Sequence, residues 1–382
     1  MKSNKIRLGE QCVVTSSKRF HLSERITQGV PFYCSKEIIK KFNGEDVTEC
    51  DYISEDLYKK VSNEFGVPKE NDLLITTRGT IGIPYLYKRT DRFYFADGNL
   101  TWIKDFDSNL YSKFLYYWFQ SYEGRKKFEA LAKGTAQKAV PISGIKTLEI
   151  ELPSLKSQKR IADILSAYDD LIENNQKQIK LLEEAAQRLY KEWFVDLRFP
   201  GHENTEIVDG VPEGWRRGLL KELISVNYGK DHKKVPDDGN IPVYGSGGLM
   251  RKCNKSLFSG EAVLIPRKGS LNNIMYVDET FWTVDTMFYA TMKQPHTAVF
   301  VYFFVKAFDM YSMNIGAAVP SMTTKILDAM DVVIPDKETL EKFDKYAKVY
   351  FNKIKTLQGQ NEQLKTARDL LLPKLMSGEV EV

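Results

Sequence analysis

The chain has 382 residues, 42% of them hydrophobic and 28% charged, with a net charge of +4. This is the profile of a globular protein with room for two or three domains, and it excludes a disordered or fibrous chain. The charge is too even to imply a nucleic-acid partner by itself, although Lys230, Lys233, Lys234, Arg251, Lys252 and Lys255 outnumber the neighbouring Asp231, Asp237 and Asp238.

The opening MKSNKIRLGEQ lacks the apolar stretch of an export signal. The longest apolar run, residues 298–305 (AVFVYFFV), falls far short of the roughly 20 residues that cross a bilayer. A cytoplasmic location is expected. Cys12, Cys34, Cys50 and Cys253 form no CxxC pair and the histidines show no ligand spacing, so reduced, mostly buried thiols and no metal are expected.

In chain order, residues 72–77 (DLLITT) read as a strand that stops at Arg78, Gly79 and Thr80. A second strand is expected over 93–103, and a helix over 110–131, broken near Gly124. The loop GTAQK offers Thr135, Gln137 and Lys138. A long helix is expected over 157–194. There Ile161, Tyr168, Asn175, Leu182 and Leu189 fall seven apart, flanked by Leu165, Ile172, Ile179, Ala186 and Trp193. It would span roughly 55 Å. Residues 199–215, rich in Gly, Pro and acids, read as a linker. Strands follow at 262–266 and 281–292, then a helix at 297–310. A second long helix begins after Pro335, its seam formed by Phe343, Ala347, Tyr350, Ile354, Leu357, Asn361, Leu364, Arg368 and Leu371.

The chain repeats itself. VPFYCS (30–35) returns as IPVYGS (241–246) at an offset of 211, and DLLITTRGTIG returns as AVLIPRKGSLN at 190. AVPIS (139–143) matches AVPSM (318–322) at 179, and LEIELP matches MDVVIP at 182. The falling offset places some 20 extra residues in the first copy. Each copy is then a mixed α/β unit (α+β) followed by a long helix: 1–152, helix 153–198, linker and unit 199–335, helix 336–382. Burying the two stripes against each other, antiparallel, would hold the units at opposite ends of a rod. Asn175 and Asn361 inside the seams would fix its register.

Enzymatic motifs are missing. RGTIG lacks the GxxxxGK[ST] of a phosphate loop, GSGG (245–248) is followed by no convincing helix, and neither GxSxG nor HExxH occurs. A DNA methyltransferase needs a glycine-rich cofactor loop and an Asn-Pro-Pro-aromatic type segment, yet the chain has no Pro-Pro. Asp336, Glu338 and Lys342 imitate part of a nuclease site, but at a helix start acids complement the dipole. No catalytic and no metal residues are therefore assigned. Two copies of a basic, turn-rich unit on a rigid spacer suit the reading of two short DNA sequences a set distance apart.

The phrases DLLITTRGTIG (72–82), GTAQKAVP (134–141), LYKEWFVDLRFPG (189–201), VPEGW (211–215) and LLPKLMSGEV (371–380) together resemble the specificity subunit of type I restriction-modification systems, in the order recognition domain, long helix, recognition domain, long helix. The resemblance covers nearly the whole chain. It implies two target-recognition domains, each reading half of a bipartite, asymmetric duplex DNA target. It also implies antiparallel helices serving as spacer and as docking surface for two modification (methyltransferase) subunits, joined by restriction (translocase/endonuclease) subunits. S-adenosylmethionine, ATP and Mg would belong to those partners, and the chain itself would be non-catalytic. The first unit departs from the pattern: it lacks a VPEGW phrase, and residues 36–60 have no match in the second.

For DNA contact the candidates are Arg78, Gly79 and Thr80 with their counterparts Lys268, Gly269 and Ser270, the GTAQK loop, and Lys230, Lys233 and Lys234, the last three for phosphate. A solvated turn is the plain alternative for each. The competing functional reading is a coiled-coil scaffold with two protein-binding domains and no DNA role. A degenerate single-chain nuclease or methyltransferase is a third.

Overall fold

The computed structural model describes residues 4–134, 138–313 and 321–382. They form two compact units, 1–177 with 358–382, and 178–357.

In unit 1 the chain runs β1 (Asn4–Arg7), α1 (Leu8–Gln11), β2 (Val13–Thr15), β3 (Val30–Tyr33), α2 (Ser35–Phe42), β4 (Asp51–Ile53) and α3 (Glu55–Glu64). Then come β5 (Leu73–Thr76), β6 (Pro84–Leu86), β7 (Tyr94–Phe95), β8 (Leu100–Lys104), α4 (Ser112–Gln120), α5 (Tyr122–Glu129), α6 (Ile142–Lys146) and β9 (Glu149–Leu152). The four residues of β5, LLIT, are all buried, as a central strand requires. They sit in a sheet of order β2-β8-β5-β6, against which α4 (SKFLYYWFQ) packs Phe114, Leu115, Trp118 and Phe119.

The expected strand over 93–103 is two strands, because Asp97-Gly98, with Gly98 at φ 73°, turns the chain between β7 and β8. The helix over 110–131 breaks at Ser121 instead of Gly124. Ser121 is extended (φ −67°, ψ 158°), and its Oγ accepts from the Gly124 N–H at 3.1 Å, starting α5. Gly124 serves a different end, since a Cβ there would lie 1.9 Å from the Trp118 carbonyl oxygen.

Unit 2 holds β10 (Ile207–Val208), β11 (Val211–Pro212), β12 (Arg216–Leu219), β13 (Ile224–Tyr228), β14 (Ile241–Gly245), β15 (Gly248–Cys253), β16 (Phe258–Pro266), β17 (Met275–Thr283) and β18 (Met287–Met292). Its main sheet, β13-β18-β16-β17-β14-β15, begins in the same order as that of unit 1. The repeat is thus structural. β3 pairs parallel with β7 through Phe32↔Tyr94, as β14 does with β17 through Val243↔Trp282. The strand expected over 281–292 is the end of β17, a turn, and β18.

The unmatched stretch 36–60 is α2, β4 and part of α3. β4 pairs antiparallel with β3 where unit 2 pairs β15 with β14, so α2 occupies the place of a tight hairpin turn. The chain continues through α8 (Ala298–Lys306), α9 (Thr324–Asp328) and β19 (Asp331–Ile334). β19 pairs with β12 as β9 pairs with β1. The helix expected to reach residue 310 stops at Lys306, because Asn272 turns the chain: its Oδ1 accepts from the Met310 N–H at 2.8 Å and its Nδ2 donates to Asp309 at 3.0 Å.

One repeat match shifts. Ala139 bridges Arg78 as Ser321 bridges Lys268, and α6 and α9 start at 142 and 324, so the offset is 182 and not the 179 given by AVPIS and AVPSM. Strand pairing, not a three-letter coincidence, sets the register.

The long helices are α7 (Leu155–Tyr190), ending in a π turn at Lys191–Val195, and α10 (Lys337–Ser377). In unit 1, Ile161 and Leu165 share a core with Leu372 and Leu375. Asp169 pairs with Arg368 at 2.5 Å, and Asn175 Nδ2 donates to Asn361 Oδ1 at 2.9 Å. In unit 2, Ala186, Tyr190 and Trp193 share a core with Phe343 and Ala347. Within each unit the partner numbers fall as the α7 numbers rise, so the pairing is antiparallel. Ile172, Ile354 and Leu357 are buried, while Tyr168, Ile179, Leu182, Tyr350, Leu364 and Leu371 are half-buried. At the end of α7 the seam moves from the expected Leu189 to Tyr190, the drift of a 3.6-residue helix against a seven-residue repeat.

The segment read as a linker is packed into unit 2. Phe199 and Trp215 are buried with ring centroids 4.8 Å apart, and the indole N–H donates to Asp336 at 3.0 Å. Gly201, Gly210 and Gly214 adopt positive φ and supply its turns. Asp336 in turn caps α10, accepting from the Thr339 N–H and hydroxyl, and Lys342 pairs with Glu338 one turn apart. Two of the four thiols, Cys12 and Cys253, are buried as expected, burial pushing Cys12 up to about 12, whereas Cys34 and Cys50 are half-buried.

Candidate nucleic-acid interface

In each unit the strand read from the sequence ends in a hairpin loop. β5 closes onto β6 through Gly82 N–H to Thr76 O at 2.8 Å and Thr76 N–H to Ile83 O at 3.0 Å, leaving Arg78, Gly79 and Thr80 exposed at the tip. Gly79 has φ 75° with open space around it, so left-handed backbone, not crowding, requires glycine there. Two segments close on this loop. The Val140 N–H donates to Thr77 O at 2.9 Å, and Ala139 is bonded to Lys133 in both directions. Ser35 Oγ, at the start of α2, donates to Asn99 O at 3.2 Å. Arg78, Lys133 and Lys138 therefore emerge together, and none has an ion-pair partner among the described residues. Thr135 and Gln137 lie outside the described residues.

Unit 2 builds the same end with other residues. Lys268, Gly269 and Ser270 are exposed between β16 and β17. The Arg267 and Lys268 N–H groups donate to Thr286 O, Met322 N–H donates to Arg267 O, and Tyr311 donates its hydroxyl to Gly269 O at 3.0 Å. Lys230 joins them, its N–H bonded to Thr283 O at 2.9 Å. Gly229 is needed for that approach, because a Cβ would meet the Val284 carbonyl oxygen at 2.0 Å. Lys233 and Lys234 are exposed farther along the loop, and among the described residues no hydrogen bond joins them to the Lys268 turn. There the Lys233 N–H holds the Asp231 carboxyl below its usual range. Arg251, grouped with these lysines in the sequence, is spent on structure: its guanidinium donates to His232 O and Val235 O.

Sequence reading missed several residues of this end. Thr15 faces Trp102 as Asn227 faces Tyr289, so Lys18 is the counterpart of Lys230. Lys18 is exposed, lies 4.7 Å from the Phe65 ring centroid, and lines a cleft of about 760 Å³ with Arg19 and Lys104. Ser35 and Ser246, and Arg267 with its guanidinium over Tyr228, were also missed. The VPFYCS and IPVYGS match, extended back toward the N-terminus, would have pointed to Lys18 or Arg19.

Chemically the two ends are alike: exposed cations on Gly-supported turns, hydroxyl donors and aromatics beside them. Among the described residues no group of three or more His, Cys, Asp or Glu could hold a metal ion, and no helix is long and apolar enough to cross a membrane.

The model of the type I restriction modification DNA specificity domain matches residues 3–184 and 212–366. The chain is 27% identical to the type I restriction enzyme MjaIX specificity subunit of Methanocaldococcus jannaschii over 71% of this chain and 69% of that one. It is also 27% identical to a putative type I specificity subunit of Mycoplasma genitalium over 82% of each. Among solved structures, the type I restriction-modification S subunit from M. genitalium aligns over 98% of this chain and 96% of that one. The TM-score is 0.63 at 19% identity, a likeness of fold.

Proposed function

The chain belongs to the type I restriction-modification DNA specificity family, and from that premise we propose that it selects the DNA target of such a system, unit 1 reading one half of a bipartite duplex sequence and unit 2 the other. The observation that carries this is the duplicated interface: one strand order, one loop position, and different residues on it, Arg78-Gly79-Thr80 against Lys268-Gly269-Ser270. A common scaffold with divergent tips is what recognition of two unlike half-sites requires. Exposed lysines and arginines supply phosphate attraction, and hydroxyl and guanidinium groups supply base-edge donors.

The paired segments of α7 and α10 act as spacer and as the surface on which modification subunits dock, restriction subunits joining them. S-adenosylmethionine, ATP and Mg are the business of those partners, the chain itself contributing no reacting group, and the complex works in the cytoplasm. The test is exchange of residues 1–152 for those of another family member, with the methylated sites mapped in the host genome. One half of the target should change and the other persist. A change in both halves or in neither would refute the two-module reading, and salt-insensitive or absent binding of the complex to duplex DNA would favour a protein scaffold.

A further inference from the structure

The GSGG phrase serves no phosphate; it forms the tip of the β14–β15 hairpin. A Cβ at Gly247 or Gly248 would meet nothing within 4 Å, so the tip is open at these two residues. Directly after it, Leu249 and Met250 are 59% and 55% exposed. Neighbours on a strand normally point to opposite faces. Here a bulge intervenes: Tyr244 faces Leu249 while Val243 faces Arg251, leaving Met250 as the extra residue. Gly245 makes room for it, since a Cβ there would lie 2.4 Å from the Met250 sulfur. The tip is tied to the basic turn described above, Asn273 donating to Ser246 O at 2.8 Å and the Ser246 hydroxyl lying 2.6 Å from where a Gly269 Cβ would be. Unit 1 has no counterpart, for at the equivalent Ser35 the chain enters α2 and the next residue is Lys36.

Two adjacent large apolar side chains exposed to this degree belong to no core cluster. Carried by a hairpin whose Ser246 abuts the turn that holds exposed Lys268, they form a neutral probe next to a basic turn. The apolar mark that a base pair shows in the major groove is the C5-methyl of thymine. We propose that Leu249 and Met250 are specificity-determining residues that pack against a thymine methyl in the half-site read by unit 2. This rests on the DNA reading above.

The experiment uses the full chain assembled with its modification subunits and duplex targets in which single thymines are replaced by uracil, which removes only that methyl. At one position of the unit 2 half-site, uracil should weaken wild-type binding about four-fold, the worth of one buried methyl. The same substitution should leave binding by L249A/M250A unchanged, with recognition of the other half-site intact in both proteins. Equal losses in wild type and variant, no loss at any position, a unit 2 half-site without thymine, or a methyl-independent kink produced by the tip would each overturn the proposal. A wild-type complex that ignores duplex DNA altogether would overturn the DNA reading with it.

Discussion

The amide pair between Asn175 and Asn361 permits a quantitative test of how the helices find their register. Both residues are more than nine-tenths buried, at 8% and 6% exposed, and their single bond is 2.9 Å long. N175A removes the donor and leaves the Asn361 carbonyl shielded from water without a partner, at a cost of about 1–3 kcal/mol. N361A should cost a similar amount. The double variant leaves no stranded group, so it should cost no more than either single change, a coupling of at least one single cost, about 1–3 kcal/mol. Replacing both by leucine should be neutral or stabilising, because apolar burial replaces the polar pair, while loosening the choice of register. Hydrogen exchange in peptides covering 161–177 and 358–375 reads the local opening free energy. Losses in the two single variants that add to within about 0.5 kcal/mol in the double would show that the amides act separately and lock nothing.

Asp336 predicts a pH dependence in unit 2. Burial raises its pKa, but hydrogen bonds from Thr339 and Trp215 outweigh that and leave it below its ordinary value. Its contribution is therefore complete above about pH 3.9 and is lost as the pH falls through the lower folded value. Asp336→Ala should cost about 0.5–2 kcal/mol near neutrality and flatten the acid limb of the unfolding profile, and a limb unchanged in the variant would refute the assignment. Lys18→Ala and Lys230→Ala should each weaken DNA binding evenly across sequences and lower the salt slope by about 1; a slope untouched by Lys18→Ala would remove Lys18 from the interface. Deleting one matched heptad from both α7 and α10 should shorten the gap between half-sites in the methylation map, and an unchanged gap would show that the helices do not set it.

Much of this was legible in the sequence because period and repetition are local signals. Both asparagines and the heptad positions up to Ala186 fall on the buried or half-buried faces of α7 and α10, Leu189 giving way to Tyr190, and DLLITT and its echo became β5 and part of β16. Features that depend on tertiary partners were less legible. Nothing near Ser121 says that its hydroxyl will cap a new helix three residues ahead of Gly124's close approach to Trp118. The Gly, Pro and acid content of 199–215 spoke for a linker, yet burial of Phe199 and Trp215 outweighed it. Lys18 was invisible for the same reason: its role follows from facing strands, Thr15 with Trp102 and Asn227 with Tyr289, which short phrase matches locate only to within a residue.

The core that joins Ile161 and Leu165 to Leu372 and Leu375 bears on the order of manufacture. Unit 2 is one unbroken stretch, 178–357, whereas unit 1 needs residues 358–382 to finish it. A ribosome adding roughly 5–20 residues per second releases the first half of the protein tens of seconds before its last helical turns exist. The half made first is thus completed last, and until then its apolar helix stripe lies open to chaperones or to another chain's tail. Protease probing of stalled ribosomal products should find 178–357 resistant while α7's beginning is still cut; the opposite order would mean that unit 1 holds together without its closing segment.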